Sequence, residues 1–330
     1  WQHWRGLTSI IEKGRGNGGG LLPPGHRLWT WQQRDSLREC LGLRDQRLPF
    51  SDLEILCTTQ CDGVVGRGEI LRNESESATD GSPSVDHWQA MVVRWPVLNN
   101  VFAEGLFIEP AGGEATASVV VIPDADQTPE QVAGLEEGLP DSLQIARILA
   151  SNGCRVIVPT LISRTVEERG PPGETGRAEL SSREFVYRPA FELGRHIVGY
   201  EVHKVLAAVD WLSKEHHTSI GVAGYGEGGL IGLLCAALDD RVDAALVKGA
   251  FGPREGMWRE PICRNLFGFL KKFGDAELAA MVWPRGLVVD FRPGPIVHLK
   301  SRGGAPGELI PPSLDDATGE FRRAAAFLGI

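Results

Sequence analysis

Residues 224–229 read Gly-Tyr-Gly-Glu-Gly-Gly, between an apolar run at Ile220–Ala223 and an apolar stretch opening at Leu230. Strand, glycine-dense turn and helix, in that order, are the setting of a nucleophile elbow, Gly-x-Ser-x-Gly, in which a serine is presented for acyl transfer. Gly224 and Gly228 supply the flanking glycines, and the nucleophile position falls on Gly226. With no oxygen or sulfur there, no acyl-enzyme can form through this turn. Glycine also relaxes a backbone whose positive φ costs a side-chain-bearing residue about 1–3 kcal/mol. Glu227 has two readings. As a displaced carboxylate nucleophile it would put bulky Tyr225 where the tight turn needs a small residue. As a carboxylate at a helix N-terminus it is favoured by the dipole by about 0.3–1 kcal/mol, with its backbone N–H left available to an anion.

Other groups with chemical potential lie at loop positions. Asp124 and Asp126 stand one residue apart after the run Ala117–Ile122, with Gln127 next to them. The two aspartates suit a metal, a sugar hydroxyl or a cationic group, and Gln127 and Tyr225 are further candidates for binding a ligand. Equally, the two aspartates suit a turn and helix cap before Thr128-Pro129-Glu130. Arg195 and His196 precede a helix that carries Glu201, and they could receive an anionic substrate or simply open that helix in solvent. Asp290 ends a strand and is the best candidate for a triad acid, or else a turn residue. His298 is the only histidine after the glycine turn. His216-His217 follow the helix end on the far side and are expected to be exposed. Cys57 and Cys61 have no second ligand pair nearby, which favours two unrelated thiols over a metal site. Trp1, Trp4, Trp29 and Trp31 could line a carbohydrate surface or pin a lead segment to a core.

The elements that must position these groups alternate. Val92–Trp95 and Val101–Ile108 read as a half-exposed hairpin, and Ala117–Ile122 as a strand buried on both faces. Asp141–Ala150 repeats apolar residues at helical spacing and closes on Asn152-Gly153. Arg155–Pro159 is the next strand, and a loop rich in Arg, Glu, Pro and Gly follows over Ser163–Arg183. In the helix Tyr200–Ser213, the residues Val202, Val205, Leu206, Val209 and Leu212 share one face. Strands follow at Val242–Gly249 and Arg285–Asp290, then a last helix at Asp315–Leu328. Short helical pieces are expected at Arg34–Leu43 and Leu53–Cys57. The order predicts an α/β fold, a doubly wound, mostly parallel sheet with helices on both faces and ligands beyond the carboxyl ends of the strands.

Composition bounds the partners. The chain has 330 residues, 42% of them hydrophobic, and a net charge of −9. No apolar run approaches the roughly 20 residues of a membrane span, and no basic run offers a footprint for nucleic acid. Six cysteines are too sparse for a disulfide framework. Nothing in the sequence calls for a cofactor. Residues 1–90 are irregular: Gly14–Gly25 holds six glycines and two prolines, and Asn73–Ser84 is polar and acidic. The organisation expected is a wrapping segment at 1–90 and a domain at 91–330. Because the chain opens on Trp1 without an initiator Met or a signal peptide, it is expected to be mature, trimmed or a fragment.

Gly224–Gly229, the helix ending Val205–Leu212, the stretch Asp239–Val247 and the phrase Pro284–Asp290 together resemble the α/β-hydrolase fold, in its dienelactone-hydrolase and acetyl-xylan-esterase-like branch. The resemblance covers roughly Met91 to Phe291. It implies a carboxylic ester hydrolase of small-molecule or carbohydrate esters, with a nucleophile at 226, an acid at Asp290, an oxyanion donor at the Glu227 N–H and a late histidine. Three departures stand against that activity. Gly226 lacks the nucleophile. Pro123–Glu130 brings carboxylates where this fold often has His-Gly, and these would repel an oxyanion. His298 comes too early for the loop after a final strand, which the domain would then lack. The expectation is a hydrolase-like protein with little or no serine-esterase activity, a possible pseudoenzyme. The alternative is a non-catalytic domain that binds a saccharide or other polar ligand through Asp124, Asp126, Glu227 and Arg195.

Overall fold

The computed structural model of the chain describes residues 26–56, 71–72, 88–110, 115–169, 178–216, 218–300 and 302–328. Expectations for Gly14–Gly25, Asn73–Ser84, Trp1, Trp4, Cys57, Cys61 and His217 lie outside the described residues.

A nine-stranded sheet forms the middle layer. Its antiparallel part is built from β1 (Glu54–Ile55), β2 (Leu71–Arg72), β3 (Trp88–Leu98) and β4 (Val101–Pro110). Asn99-Asn100 turns β3 into β4, with Asn100 in the left-handed region at φ 58°, which Asn tolerates better than most residues. The alternation in this hairpin is that of strands with one face in the core. The parallel part comprises β5 (Ser118–Ile122), β6 (Arg155–Pro159), β9 (Ile220–Tyr225), β10 (Ala244–Lys248) and β11 (Gly286–Asp290). The order across the sheet is β1-β3-β4-β6-β5-β9-β10-β11, with β2 against β3. Every residue of β5 is buried, as its continuous β-branched run demands. The piece expected to be helical at Leu53–Cys57 is instead strand β1, paired with β3 through Glu54 and Ile55: sheet pairing overrides a weak local helical preference.

Helices cover both faces. On one side lie α1 (His26–Cys40), α5 (Ile197–Glu215), α6 (Glu227–Leu238) and α7 (Asp275–Val282), packed with Val120, Ile122, Val222, Ala245 and Val247. On the other lie α2 (Pro129–Val132) and α3 (Ile145–Ser151), against Val119, Val121, Ala223 and Leu246. α6 is buried on every side, the expected fate of a helix apolar all round. Two hairpins decorate the loops: β7 (Val166–Arg169) with β8 (Ala178–Ser181), and β12 (Val297–Leu299) with β13 (Gly307–Leu309). The first falls inside the stretch expected to be loop. α4 (Ser182–Glu192) links β8 to α5, and α8 (Leu314–Leu328) packs on α7. The segment 26–56 lies on the domain through buried Leu37 and Leu41, a bidentate Arg34–Asp240 pair and a Trp29–Phe327 ring contact at 5.2 Å. Among the described residues, no helix is long and apolar enough to cross a membrane.

Candidate functional site

The elbow forms where the sequence places it. β9 ends at Tyr225, Gly226 caps α6 at φ 57° and ψ −116°, and Glu227 begins the helix. The flanking glycines are fixed by close approach. A Cβ on Gly224 would lie 2.1 Å from the Gly228 carbonyl oxygen, and one on Gly228 would lie 2.0 Å from that of Ile122. No side chain is tolerated at such distances from backbone, so the frame holds its shape without a nucleophile.

The direction a side chain on Gly226 would take is blocked. A Cβ there would meet Asp124 Oδ1 at 2.5 Å and the Pro295 ring at 2.8 Å. Pro295 belongs to the loop after β11, which lies on the elbow; Gly294 comes so near that a Cβ on it would be 1.9 Å from the Gly249 carbonyl oxygen. The Glu227 N–H, the oxyanion donor of this fold, already donates to Asp124 Oδ1 at 2.8 Å. A carboxylate of the chain itself thus sits where an oxyanion would be received.

Asp124 is held there by Arg164, whose two terminal nitrogens reach its oxygens at 2.6 and 3.0 Å. Arg164 Nη1 also bonds Asp126 at 3.1 Å, and the Asp126 carboxylate accepts from the Arg164 backbone N–H. Both readings of these aspartates are met in part: they belong to a turn closed by the Gln127 N–H donating to the Asp124 carbonyl at 3.0 Å, and their carboxylates bind a cation, which is the chain's own guanidinium. The cap of α2 is Thr128, not either aspartate. Gln127 fixes the loop by accepting from the Asp124 N–H at 3.0 Å.

Glu227 is fully buried and is the hub of the cluster. Its Oε1 accepts from Arg183 at 3.0 Å, while its Oε2 lies 3.4 Å from Arg164 and bonds Arg264. Arg183 makes a second, bidentate pair with buried Glu201 at 3.0 Å per bond, and Arg264 holds Glu260. Burial alone would raise the Glu227 pKa; Arg264, Arg183 and Arg164 outweigh it and hold the carboxyl well below the usual carboxylate range. A carboxylate so fully paired is a poor nucleophile and a poor base. His196 caps α5, its Nδ1 accepting from the Val198 N–H at 3.1 Å, and its Nε2 lies 3.2 Å from the Asn265 carbonyl. Burial, only partly offset by the Asn265 carbonyl, pushes its pKa down to about 4, so the ring is neutral near pH 7 with both nitrogens engaged.

The remaining predicted site residues are not assembled. Asp290 is bound by Arg292 at 2.5–3.0 Å and lies 3.8 Å from Lys248. His298 is exposed on the β12–β13 hairpin with Glu308 at 3.5 Å, so no Asp290–His298 pair forms. Arg195 makes a bidentate pair with Asp45 at 2.6 and 2.8 Å instead of facing the elbow, because that carboxylate from the lead segment reaches it first. Tyr225 is partly buried, its hydroxyl 3.5 Å from the Pro293 carbonyl. His216, expected to be exposed, packs edge-on against Trp211 at 5.0 Å. Sequence reasoning missed Arg164, Arg183 and Arg264 as the cations of the cluster. The signal was indirect: a glutamate opening a fully apolar helix requires cationic partners.

Two cavities open at this end of the sheet. One, of about 390 Å³, is lined by Gly226, Gly249, Arg254, Arg264 and Pro295 among others. The second, of about 1370 Å³, lies between α3 and the loops at Asp290–Pro293 and Pro311–Leu314. Among the described residues, no group of three or more His, Cys, Asp or Glu is placed to hold a metal ion.

A central, mostly parallel sheet, helices on both faces and a strand–turn–helix elbow at its carboxyl edge define the α/β-hydrolase fold. Within that fold, residues 104–256, a little under half of the chain, match the model of the dienelactone hydrolase family. The match takes in Asp124, Arg164, Arg183, Glu201 and Glu227 and stops before Arg264 and β11. Among solved structures, a protein from Bacteroides fragilis NCTC 9343 provisionally assigned as an acetyl xylan esterase is 16% identical. The alignment covers 97% of this chain and 78% of that one, with a TM-score of 0.61, a likeness of fold. A glucuronoyl esterase from Solibacter usitatus is 14% identical over 92% of this chain and 81% of its own, at a TM-score of 0.44, too low to carry an argument. No curated protein matches the chain.

Proposed function

We propose that this chain is an esterase-like α/β-hydrolase family member that does not turn over esters through its elbow and keeps the scaffold as a domain for holding a polar ligand. One observation carries the reading: Asp124 Oδ1 occupies the Glu227 N–H at 2.8 Å and stands 2.5 Å from where a Cβ of residue 226 would be. Attack needs a nucleophilic atom at 226 and free donors for the developing oxyanion. Here the atom is missing, the donor is taken, and the Pro295 ring closes the space a nucleophile would need. Glu227 offers no substitute, because three guanidiniums surround its carboxylate. The reading of a small-molecule or carbohydrate ester as the ligand rests on the family alone.

The test is hydrolysis of a short-chain aryl ester by the chain and by Gly226→Ser. Both are expected to be silent, since restoring the hydroxyl restores neither space nor oxyanion donor. Saturable turnover by the unmodified chain overturns the proposal.

A further inference from the structure

The cavity of about 390 Å³ beside the elbow contains a feature that silent chemistry does not explain. Its wall includes two arginines that are almost wholly buried, Arg254 (7% exposed) and Arg264 (4% exposed). Arg254 spends Nε and Nη2 on Asp275 and on the Ala250 carbonyl, at 2.8–2.9 Å. Arg264 spends Nε on Glu260 and Nη1 on Glu227. Among the described residues, neither Arg254 Nη1 nor Arg264 Nη2 has a hydrogen-bond partner. Each is thus a charged donor group held rigid by its other bonds, with hydrogen-bonding capacity unused at a cavity wall. A third arginine of the lining, Arg259, is exposed, its guanidinium over the Trp258 ring at 4.8 Å.

The carboxylates of the same lining are occupied elsewhere. Glu260 is bound to Arg264, Glu308 faces His298, and Asp316 accepts from the Ser313 hydroxyl at 2.7 Å. Both guanidinium groups are already paired on one side, and at the wall of an open cavity water can accept from the remaining donors; an oxyanion that replaces that water gains charge-assisted hydrogen bonds. Arginine forks match the oxygens of carboxylate and phosphate groups. The volume falls at the lower end of the range for small-molecule sites.

We propose that this cavity binds a small molecule through an oxyanion group, a carboxylate or a phosphate monoester, received by Arg254 Nη1 and Arg264 Nη2, with Arg259 at the mouth. The proposal does not depend on the elbow being silent, because neither nitrogen takes part in closing it.

The test is isothermal titration of the full chain with benzoate and glucose 6-phosphate, and with their neutral counterparts benzyl alcohol and glucose. Binding of at least one anion, with its neutral counterpart about tenfold weaker or undetectable, is expected. Preference for benzoate assigns the site to carboxylates, and preference for glucose 6-phosphate assigns it to phosphates. Because Arg254 and Arg264 also hold the fold, the variant to use is Gly256→Glu. Gly256 lines the cavity at φ −83°, and a Cβ there has no atom within 4 Å, so a carboxylate can be added without strain. It should weaken the bound anion at least about tenfold through like-charge repulsion, while Gly256→Gln weakens it less. No anion binding, equal binding of anion and neutral counterpart, or binding undiminished by Gly256→Glu overturns the proposal.

Discussion

Removing the Asp124 carboxylate should destabilise the fold by an amount the structure lets one bound. Asp124 is 3% exposed, pairs bidentately with Arg164, itself 4% exposed, and accepts from the Glu227 N–H. In Asp124→Ala, Arg164 keeps only Asp126 at 3.1 Å and Glu227 at 3.4 Å, and the Glu227 N–H loses its acceptor. Breaking a buried ion pair from one side costs about 3–5 kcal/mol, because the other charge stays buried without its partner. The surviving contact to Asp126 sets the expectation at the lower end, about 3 kcal/mol. Arg164→Met strands Asp124 in the same way and should cost about as much. In the double variant neither charge is stranded, so the total should fall short of the sum by about 2–3 kcal/mol. Equilibrium urea unfolding of the four proteins, followed by tryptophan fluorescence, measures the cycle. Additivity to within about 0.5 kcal/mol would refute the reasoning, since it would mean the two charges do not depend on each other.

Three further outcomes are expected. Gly226→Ser should lose about 2–5 kcal/mol in urea unfolding, combining strain at φ 57° with overpacking against Asp124 and Pro295; an unchanged midpoint would show that the elbow is open. Gly228→Ala should fail to fold or lose several kcal/mol, because its Cβ would meet the Ile122 carbonyl at 2.0 Å, and soluble yield with circular dichroism reads this directly. Stability should fall as pH drops from about 6.5 toward 4. His196 and His203 are both pushed down to about 4, chiefly by burial, so the unfolded chain takes up their protons first and the stability they contribute at neutral pH is lost across that window. Since both His203 ring nitrogens are buried without partners, His203→Leu should flatten the urea-midpoint profile between pH 6.5 and 4 at little cost at pH 7.5, and an unaltered profile would contradict this.

The elbow and the sheet were legible because both are written in local patterns. A continuous β-branched run marked the buried strand β5, and the glycine turn marked the crossover from β9 into α6. Edges differed modestly: the helix expected from Leu230 begins at Glu227, and the one expected over Asp141–Ala150 is a short 3-10 turn followed by Ile145–Ser151. The charge cluster was only half legible. Its carboxylates Asp124 and Glu227 stood out because they interrupt apolar or turn sequence. Its arginines come from the stretch Ser163–Arg183 and from a 3-10 turn at Ile262–Arg264, where basic residues look like ordinary surface. Glu227, the partner all three share, lies 37 to 63 residues away from them, at separations that no helical or strand period encodes. His298 misled for the opposite reason: its place after the elbow suggested a catalytic order, whereas the hairpin carrying it points it at Glu308.

The central claim is that residue 226 and the donor beside it are closed to acyl chemistry. Intact-mass spectrometry of the folded chain after exposure to an aryl acetate and, separately, to a serine-directed fluorophosphonate tests it most directly. The account predicts an unmodified mass with either reagent. A stoichiometric acyl or phosphonyl adduct abolished by denaturing the protein first would contradict it.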